Sequence, residues 1–257
     1  MTIDIKQFEI LNFPPYFFFS VLGIAASFTC YMILLVISGF PISKKNILLC
    51  ILTLIGVVLG ARFFGLLTNI SISLYNKEKI TFNVIYKAGL VFYGGLFGGT
   101  FCHWLGIHIL FRNQYDARLL NPLAVSIPLF HFFGRLGCLF AGCCYGKEYH
   151  GFGHINYIRD GIITETLPVQ LLESITEFII FCILLTTYCV RKNKQNNNML
   201  LLYFILYSTG RFFLEFLRSD QNRGYFGIIS FSQIVSIILF LCSIFFLLKS
   251  GVKNENH

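Results

Sequence analysis

Seven long apolar stretches constrain this chain more than any other feature of its sequence. Each is close to the roughly 20 residues that a helix needs to cross a lipid bilayer. Hydrophobic side chains make up 56% of the 257 residues and charged ones only 12%, whereas a soluble domain carries about 25% charged residues. Helices satisfy their own backbone hydrogen bonds in lipid, and the alternating pattern of barrel strands is absent. The sequence therefore predicts an all-α, polytopic membrane protein with transmembrane helices at residues 16–38, 47–67, 89–111, 119–142, 169–190, 199–217 and 227–249.

The distribution of lysine and arginine predicts the orientation of these helices. With an odd number of spans the two termini face opposite sides, and the cytoplasmic side carries the excess of basic residues. An external N-terminus gives nine basic residues on the inner face and eight on the outer face. The densest basic run, from Arg191 to Lys194, favours the same assignment. We therefore predict an external N-terminus and a cytoplasmic C-terminus.

Three arginines, Arg62, Arg135 and Arg211, lie inside apolar stretches. A guanidinium in a membrane helix is costly unless it faces a partner or a wet cavity, so each is a candidate site residue. Two of them belong to segments rich in small or polar residues, HFFGRLGCLFAGCCYG (residues 131–146) and GRFFLEFLRSD (residues 210–220). The sequence thus points to a polar site within the helices.

An antiparallel bundle would bring polar groups from five helices into the same half of the membrane. With an external N-terminus this is the outer half. The alternatives are a structural ion-pair network and, for side chains near helix ends such as Arg112 and Arg218, snorkelling to the headgroups. The polar groups are Arg62, Tyr93, Gly94, Gly95, Arg135 with the cysteine segment after it, Gln170, Glu173, Arg211, Glu215 and Arg218.

Spacing along the helices predicts contacts within this set. Residues four positions apart share a helix face. This spacing relates His131 to Arg135, Glu173 to Glu177, and Arg211 to Glu215. We expect these carboxylates and arginines to meet in one cavity and to leave at least one guanidinium free as a bidentate partner for a phosphate.

The predicted third helix carries glycine pairs at 94–95 and 98–99. Bare backbone there would let a ligand approach the start of the helix, or would let two helices pack closely; the sequence leaves both possibilities open. His103 and His108 lie in the opposite half of that helix, where structural hydrogen bonding is their best interpretation.

Six of the nine cysteines are scattered singly in apolar helices, where cysteine behaves as a small hydrophobe. Cys138, Cys143 and Cys144 are grouped, but they lack the Cys-x-x-Cys pairs of a zinc site, so no metal site is predicted. Outside the helices, residues 68–87 read as an interfacial arm and residues 147–167 as a short external cap loop, within a single domain over residues 1–257.

Five motifs together resemble the prolipoprotein diacylglyceryl transferase family. They are GARFFG (60–65), YGG (93–95), GRLGCLFAGCCYG (134–146), PVQLLE (168–173) and GRFFLEFLRSD (210–220), in the order that the family has them. The resemblance implies transfer of a diacylglyceryl group from phosphatidylglycerol to the thiol of a lipobox cysteine in a prolipoprotein signal peptide. It also implies a multi-pass protein of the bacterial cell (inner) membrane that needs no metal or organic cofactor. Membrane lipid is a further partner, no nucleic acid is expected, and a monomer is the default.

The resemblance also implies roles for individual residues. Arg135 and Arg211 would bind the phosphate and its developing charge, and Glu215 would orient Arg211 or relay a proton. Tyr93 would be a further catalytic residue. It would line the headgroup pocket together with Gly94 and Gly95. The remaining expected substrate-binding residues are Arg62, Gly134, Gly137, Cys138, Cys143, Gly146, Gln170, Glu173 and Arg218.

The chain departs from the better-known members of that family at four positions. It has Cys138, Ala141 and Cys143 where they carry Asn, Asn and Glu, and Tyr93 where they carry His. A tyrosine of ordinary pKa near 10 is a poor base at neutral pH, so Glu215, Glu173 or a cysteine thiolate could take that role. The alternatives to the family's reaction are transfer to another acceptor, or lipid binding or transport without catalysis.

Overall fold

The computed structural model describes residues 2–4, 10, 12–75, 77, 79, 81, 86, 89–112, 117–159, 161–190, 198–219, 225–226 and 229–255. Seven α-helices lie within these residues: α1 (Pro15–Ile37), α2 (Lys44–Tyr75), α3 (Phe92–Phe111), α4 (Ala117–Phe140), α5 (Val169–Val190), α6 (Asn198–Leu214) and α7 (Phe231–Glu255). A 3₁₀ turn, Glu215–Leu217, follows α6. The strands are β1 (Thr2–Asp4), β2 (Ile155–Arg159), β3 (Ile162–Thr166), β4 (Tyr225–Phe226) and β5 (Ile229–Ser230).

Six of the helices in the described residues are long and apolar enough to cross a membrane: α1, α2, α4, α5, α6 extended by its 3₁₀ turn, and α7. The prediction of a mostly helical, polytopic membrane protein is confirmed. The exception is α3, which forms where a helix was predicted but carries five glycines and two histidines among its 20 residues. Helix α3 is not among the six.

The chain forms two compact units. The first contains Met1–Leu34 and Asn121–His257, and the second contains Leu35–Leu120. A single functional domain over residues 1–257 remains a prediction.

In the first unit, α5 packs against α6 and α6 against α7. Helix α1 contacts the last turns of α4, where the Phe19 and Phe140 rings stack with their centroids 5.4 Å apart. A Cβ added to Gly137 would lie 3.2 Å from the Cα of Tyr16. Gly137 therefore serves the packing of α1 on α4, and any contact of this residue with substrate remains a prediction.

A small sheet packs on the end of α4. Strand β2 pairs in parallel with β1 and antiparallel with β3. Ile3, Ile155 and Tyr157 from the sheet bury against Leu139, and the Tyr157 hydroxyl donates to the Leu139 carbonyl at 2.9 Å. The region expected to be a short cap loop, residues 147–167, thus contains a β-hairpin.

In the second unit, α2 and α3 make the most extensive contact. Their glycines face one another: a Cβ added to Gly60 would lie 2.2 Å from the Gly94 carbonyl oxygen, and one added to Gly98 would lie 2.3 Å from that of Gly56. No side chain fits at such distances, so these glycines let the two backbones touch. Of the two possibilities that the sequence left open for the glycine pairs, close packing is the one observed here.

Several predicted boundaries differ from the structure, and two of the differences have a clear structural basis. The predicted helix at 119–142 ends at Phe140, because Gly142 adopts a positive φ of 62° and its N–H bonds back to the Leu139 carbonyl at 3.3 Å, as at many helix ends. Residues 68–75 of the predicted interfacial arm continue α2 as regular helix. Most of the rest of that arm lies outside the described residues.

Candidate active site

A single carboxylate, Glu173 on α5, contacts three guanidinium groups. Its Oε2 lies 3.0 Å from the NH1 of Arg135 on α4. Its Oε1 contacts the NH1 of Arg211 on α6 and lies 3.5 Å from the NH1 of Arg218, which follows the 3₁₀ turn. All four residues are buried, with at most 8% of their surface exposed. The predicted meeting of charged groups from separate helices is therefore present for these residues.

Arg211 also pairs within its own helical run. Its NH2 lies 2.6 Å from Glu215 Oε2, at the i,i+4 spacing that the sequence showed, and 3.4 Å from the Ser232 hydroxyl at the start of α7. Glu215 and Glu173 thus hold the guanidinium of Arg211 from two directions. A planar fork fixed in this way has a defined orientation toward any anion beside it.

His131 connects the arginines to a second buried carboxylate, Glu177. The Nε of Arg135 donates to His131 Nε2 at 3.0 Å, and because that ring nitrogen accepts, a neutral imidazole carries its proton on Nδ1. Nδ1 lies 2.9 Å from Glu177 Oε1. These contacts form a continuous series across α4 and α5, from Glu177 through His131 and Arg135 to Glu173.

A small cavity lies among these groups. It has a volume of about 10 Å³, which is room for about one water molecule. Its lining includes Glu177, whose Oε2 has no hydrogen-bond partner among the described residues. The other lining residues are His131, Glu173, Thr176, Tyr207, Arg211 and Leu214.

The expectation of a guanidinium free of any carboxylate is wrong for the arginines of this cluster, because Arg135, Arg211 and Arg218 all contact Glu173. Individual donors nevertheless remain. Arg135 uses Nε for His131 and NH1 for Glu173, and its NH2 has no partner within the described part of the chain. A guanidinium carries five N–H donors, so Arg135 can hold its carboxylate and still donate to an incoming anion.

The cysteine segment lies directly after α4. The Sγ atoms of Cys138, Cys143 and Cys144 all lie within 4.8 Å of one another, a grouping that their sequence spacing did not predict. The neighbouring Cys138 and Cys143 thiols lower the pKa of the Cys144 thiol, and the Arg135 and Arg218 guanidiniums act in the same direction.

Gln170 and Gly146 fix the backbone around those cysteines. The side-chain amide of Gln170 donates to the Cys143 carbonyl at 2.7 Å. The N–H of Gly146 donates to the Leu167 carbonyl at 3.0 Å, and a Cβ at Gly146 would lie 2.5 Å from Val169 Cγ2. Both residues thus lie near the predicted site, where their observed contacts are with other groups of the protein. Gly134 differs, because a Cβ there would meet no atom of the described structure within 4 Å.

Arg62, Tyr93, Gly94 and Gly95 belong to the second unit. Arg62 donates to the Tyr86 carbonyl at 3.0 Å, Tyr93 is buried in α3, and Gly94 packs against α2. Their place in the same site as Arg135 stays a prediction. In the same unit His103 Nε2 donates to the Leu119 carbonyl at 3.1 Å, which confirms the structural hydrogen bonding expected of it.

Several residues of the cluster were not among the expected site residues. The sequence shows His131 and Glu177 only as members of i,i+4 pairs, and that spacing is the signal that points to them. No comparable spacing points to four other residues near the cluster, which are Thr176, Tyr207, Ser232 and Cys144. The packing of separate helices and the turn after α4 place them beside the arginines and cysteines.

These features define a polytopic helical membrane protein with a buried cluster of arginines and carboxylates where three of its helices meet. The chain matches the family described as "Prolipoprotein diacylglyceryl transferase" over residues 4–249. It therefore belongs to the prolipoprotein diacylglyceryl transferase family, and the expectation drawn from the five motifs is confirmed.

Individual relatives carry the same description. The phosphatidylglycerol–prolipoprotein diacylglyceryl transferase 2 of Clostridium perfringens is 35% identical over 196 residues, which cover 74% of this chain and 73% of the relative. The transferase of Clostridium tetani is 30% identical over 200 residues, 77% of each protein. That of Campylobacter hominis is 35% identical over 199 residues, 73% of this chain and 68% of the relative.

Proposed function

We propose that this chain transfers the diacylglyceryl group of phosphatidylglycerol to the thiol of a lipobox cysteine in prolipoproteins. Membership of the family and the names of its relatives support the reaction. In this step a bond forms between sulfur and the glyceryl carbon, and the bond from that carbon to the phosphate oxygen breaks. The products are a thioether-linked lipid and glycerol 1-phosphate, and the thiol proton passes to the phosphate or to solvent.

The observation that carries the site assignment is that Glu173 holds Arg135 and Arg211 together. The leaving phosphate gains charge as the carbon–oxygen bond breaks, and fixed donors stabilise that charge best when they need no reorganisation. Arg135 and Arg211 are held in place by carboxylates and are nearly dry, with 8% and 7% of their surface exposed. We assign them to the phosphate, with the NH2 of Arg135 as a donor still available.

The remaining expected residues take supporting roles in this proposal. Glu215 orients Arg211, since its carboxylate lies 2.6 Å from the guanidinium. Glu173 orients all three arginines, including Arg218. Tyr93, Gly94, Gly95 and Arg62 would line the headgroup pocket, and Gly134, with open space beside it, would leave room for the lipid.

We also propose that α3 crosses the membrane as a seventh span, with the N-terminus outside and the C-terminus in the cytoplasm. The nine-to-eight balance of basic residues supports this orientation. The protein would then lie in the bacterial cell (inner) membrane with its arginine cluster in the outer half. Prolipoprotein signal peptides and phosphatidylglycerol are its partners, and it acts as a monomer without nucleic acid.

Turnover of labelled phosphatidylglycerol with a lipobox peptide tests the reaction. We expect lipidated peptide from the purified chain, and a loss of about 100-fold or more in Arg135→Ala and in Arg211→Ala, the scale on which removal of one charge-stabilising donor acts. Arg135→Lys should lose activity as well, because an ammonium cannot contact His131 and Glu173 as a planar fork does. Arg112→Ala, at the far end of α3, is the matched control and should retain activity.

The outcomes separate the competing functions. If folded protein consumes the lipid equally well with a peptide that lacks cysteine, the acceptor is a different one. If the protein binds phosphatidylglycerol but forms no product under any of these conditions, the chain is a lipid-binding or transport protein and the proposal is wrong.

A further inference from the structure

Three thiols meet at one point where α4 ends. Cys138 is in the last turn of the helix, and Cys143 and Cys144 are in the turn that follows it; their Sγ atoms lie within 4.8 Å of one another. Cys138 is buried, whereas Cys143 and Cys144 are half-buried, so the group is covered on one side and accessible on the other. The other six cysteines of the chain are not part of this cluster.

The backbone holds the three thiols together. Gly142 and Cys144 both adopt left-handed conformations, with φ of 62° and 58°, and the second is costly for a residue with a side chain. The N–H of Cys143 donates to the Cys138 carbonyl at 3.2 Å. The carbonyl of Cys143 in turn accepts from the fully buried Gln170 at 2.7 Å. The turn is thus fixed by groups around it, as metal ligands usually are.

Thiolates are soft ligands that select ions such as Zn²⁺. A tetrahedral zinc ion with bonds of about 2.3 Å holds its sulfur ligands roughly 3.8 Å apart, so thiols within 4.8 Å need shifts of only about 1 Å or less to bind it. Structural zinc sites close with four protein ligands, whereas sites with three protein ligands keep a position open for substrate. The cluster in the described residues supplies three.

We propose that Cys138, Cys143 and Cys144 bind one Zn²⁺ ion, and that the open fourth position takes the thiolate of the acceptor cysteine. This second part rests on the function proposed above. Coordination would release the thiol proton to solvent and hold the sulfur as a thiolate, the form that attacks carbon. The sulfur then bonds to the glyceryl carbon, the carbon–oxygen bond breaks, and the resulting thioether, a weaker ligand, leaves the ion.

The position of the cluster suits that role. Cys138 follows Arg135 by three residues, so both lie on one face of α4. A nucleophile held at the cysteines would therefore lie beside the arginine assigned to the leaving phosphate.

Cobalt substitution tests the site independently of activity. The full-length chain, purified in detergent under reducing conditions, is titrated with Co²⁺, whose visible and near-ultraviolet bands report tetrahedral thiolate ligands, and its zinc content is measured by mass spectrometry. We expect one equivalent of metal with thiolate bands. Cys143→Ser and Cys144→Ser should each weaken Co²⁺ binding by at least 100-fold. A triple variant of the exposed cysteines, Cys182→Ser, Cys189→Ser and Cys242→Ser, is the control and should bind as the parent does.

A lipobox peptide added to the cobalt form tests the fourth position. A shift of the bands with the cysteine peptide, and none with its serine counterpart, supports the proposal. Equal Co²⁺ binding by the parent and the cluster variants, or no binding while all nine thiols titrate as free, would overturn it. Unchanged transfer activity with no bound metal would overturn it too while leaving the proposed function intact. Metal bound without any transfer would contradict the proposed function and leave the three-cysteine site standing.

Discussion

A carboxylate that contacts three guanidinium groups makes the position of each arginine depend on the others. Glu173 is 4% exposed, so bulk water does not reach the arginines in its place. Removing one member of a buried charge network typically costs about 3–5 kcal/mol, because the remaining charges stay buried without compensation. We therefore expect Glu173 to contribute to the stability of the folded state as well as to catalysis.

We accordingly expect Glu173→Gln to lower the free energy of unfolding by about 3 kcal/mol or more. Denaturant unfolding in detergent micelles, followed by circular dichroism, measures the loss. The matched control is Glu148→Gln: the Glu148 side chain is 76% exposed beside His150, and exposed pairs contribute about 1 kcal/mol or less. Equal stability of the two variants would mean that the three arginines do not depend on Glu173.

At this scale the sequence predicted one kind of contact and missed another. The pairs His131–Arg135 and Arg211–Glu215 follow from a fixed spacing of four residues within one helical run, and both are observed. The contact of Glu173 with Arg218 depends on how two separate segments pack, and no local pattern encodes it. The proximity of Cys138 to Cys144 likewise depends on a turn with two left-handed residues, which the chain spacing does not reveal.

At the scale of elements, the fit between α2 and α3 depends on glycines that leave no room for a side chain. An alanine at Gly98 would place its Cβ 2.3 Å from the Gly56 carbonyl oxygen and 2.9 Å from the Gly60 Cα. Both obstacles are backbone atoms, so the two helices must move apart to accommodate it.

We expect Gly98→Ala to destabilise the chain by about 1–3 kcal/mol, as overpacking usually does. The sign of the change in the free energy of unfolding is informative, because alanine in place of glycine in an unhindered helix raises that free energy by roughly 1 kcal/mol. Gly89→Ala, where a Cβ meets no atom within 4 Å, is the control and should leave stability unchanged. Thermal unfolding in the same detergent compares the two variants, and a stabilised Gly98→Ala would refute the close packing described here.

The hairpin of β2 and β3 shows a different limit of sequence reasoning. Arg159 and Ile162 pair at the ends of its two strands, and the sequence between them is Asp-Gly, a strong hairpin signal when it separates two strand-like runs. The polar composition of residues 147–167 alone predicts only a cap loop. Helix existence was predictable here from composition alone, whereas short strands outside the membrane required attention to turn chemistry.

At the scale of the whole molecule, the number of spans decides which ends of the helices share a membrane face. The structure contains seven helices in its described residues, but only six meet the criteria of length and apolar character. The helix outside these six is α3, whose glycines pack against α2 and whose His103 bonds to Thr53 and Leu119. These polar groups are satisfied within the protein, so they do not prevent α3 from lying in lipid.

Residues 42 and 150 discriminate between six and seven spans. If α3 crosses the membrane, α2, α3 and α4 separate these residues and place them on opposite sides; if it does not, two crossings place them on the same side. With the N-terminus outside we expect Ile42→Cys to be cytoplasmic and His150→Cys to be external, and both positions are exposed in the structure. A membrane-impermeant maleimide applied to intact cells should therefore label His150→Cys above the level of the parent chain, and should label Ile42→Cys only after the membrane is opened. Labelling of Ile42→Cys alone would reverse the orientation, and identical behaviour of the two variants would show that α3 does not cross.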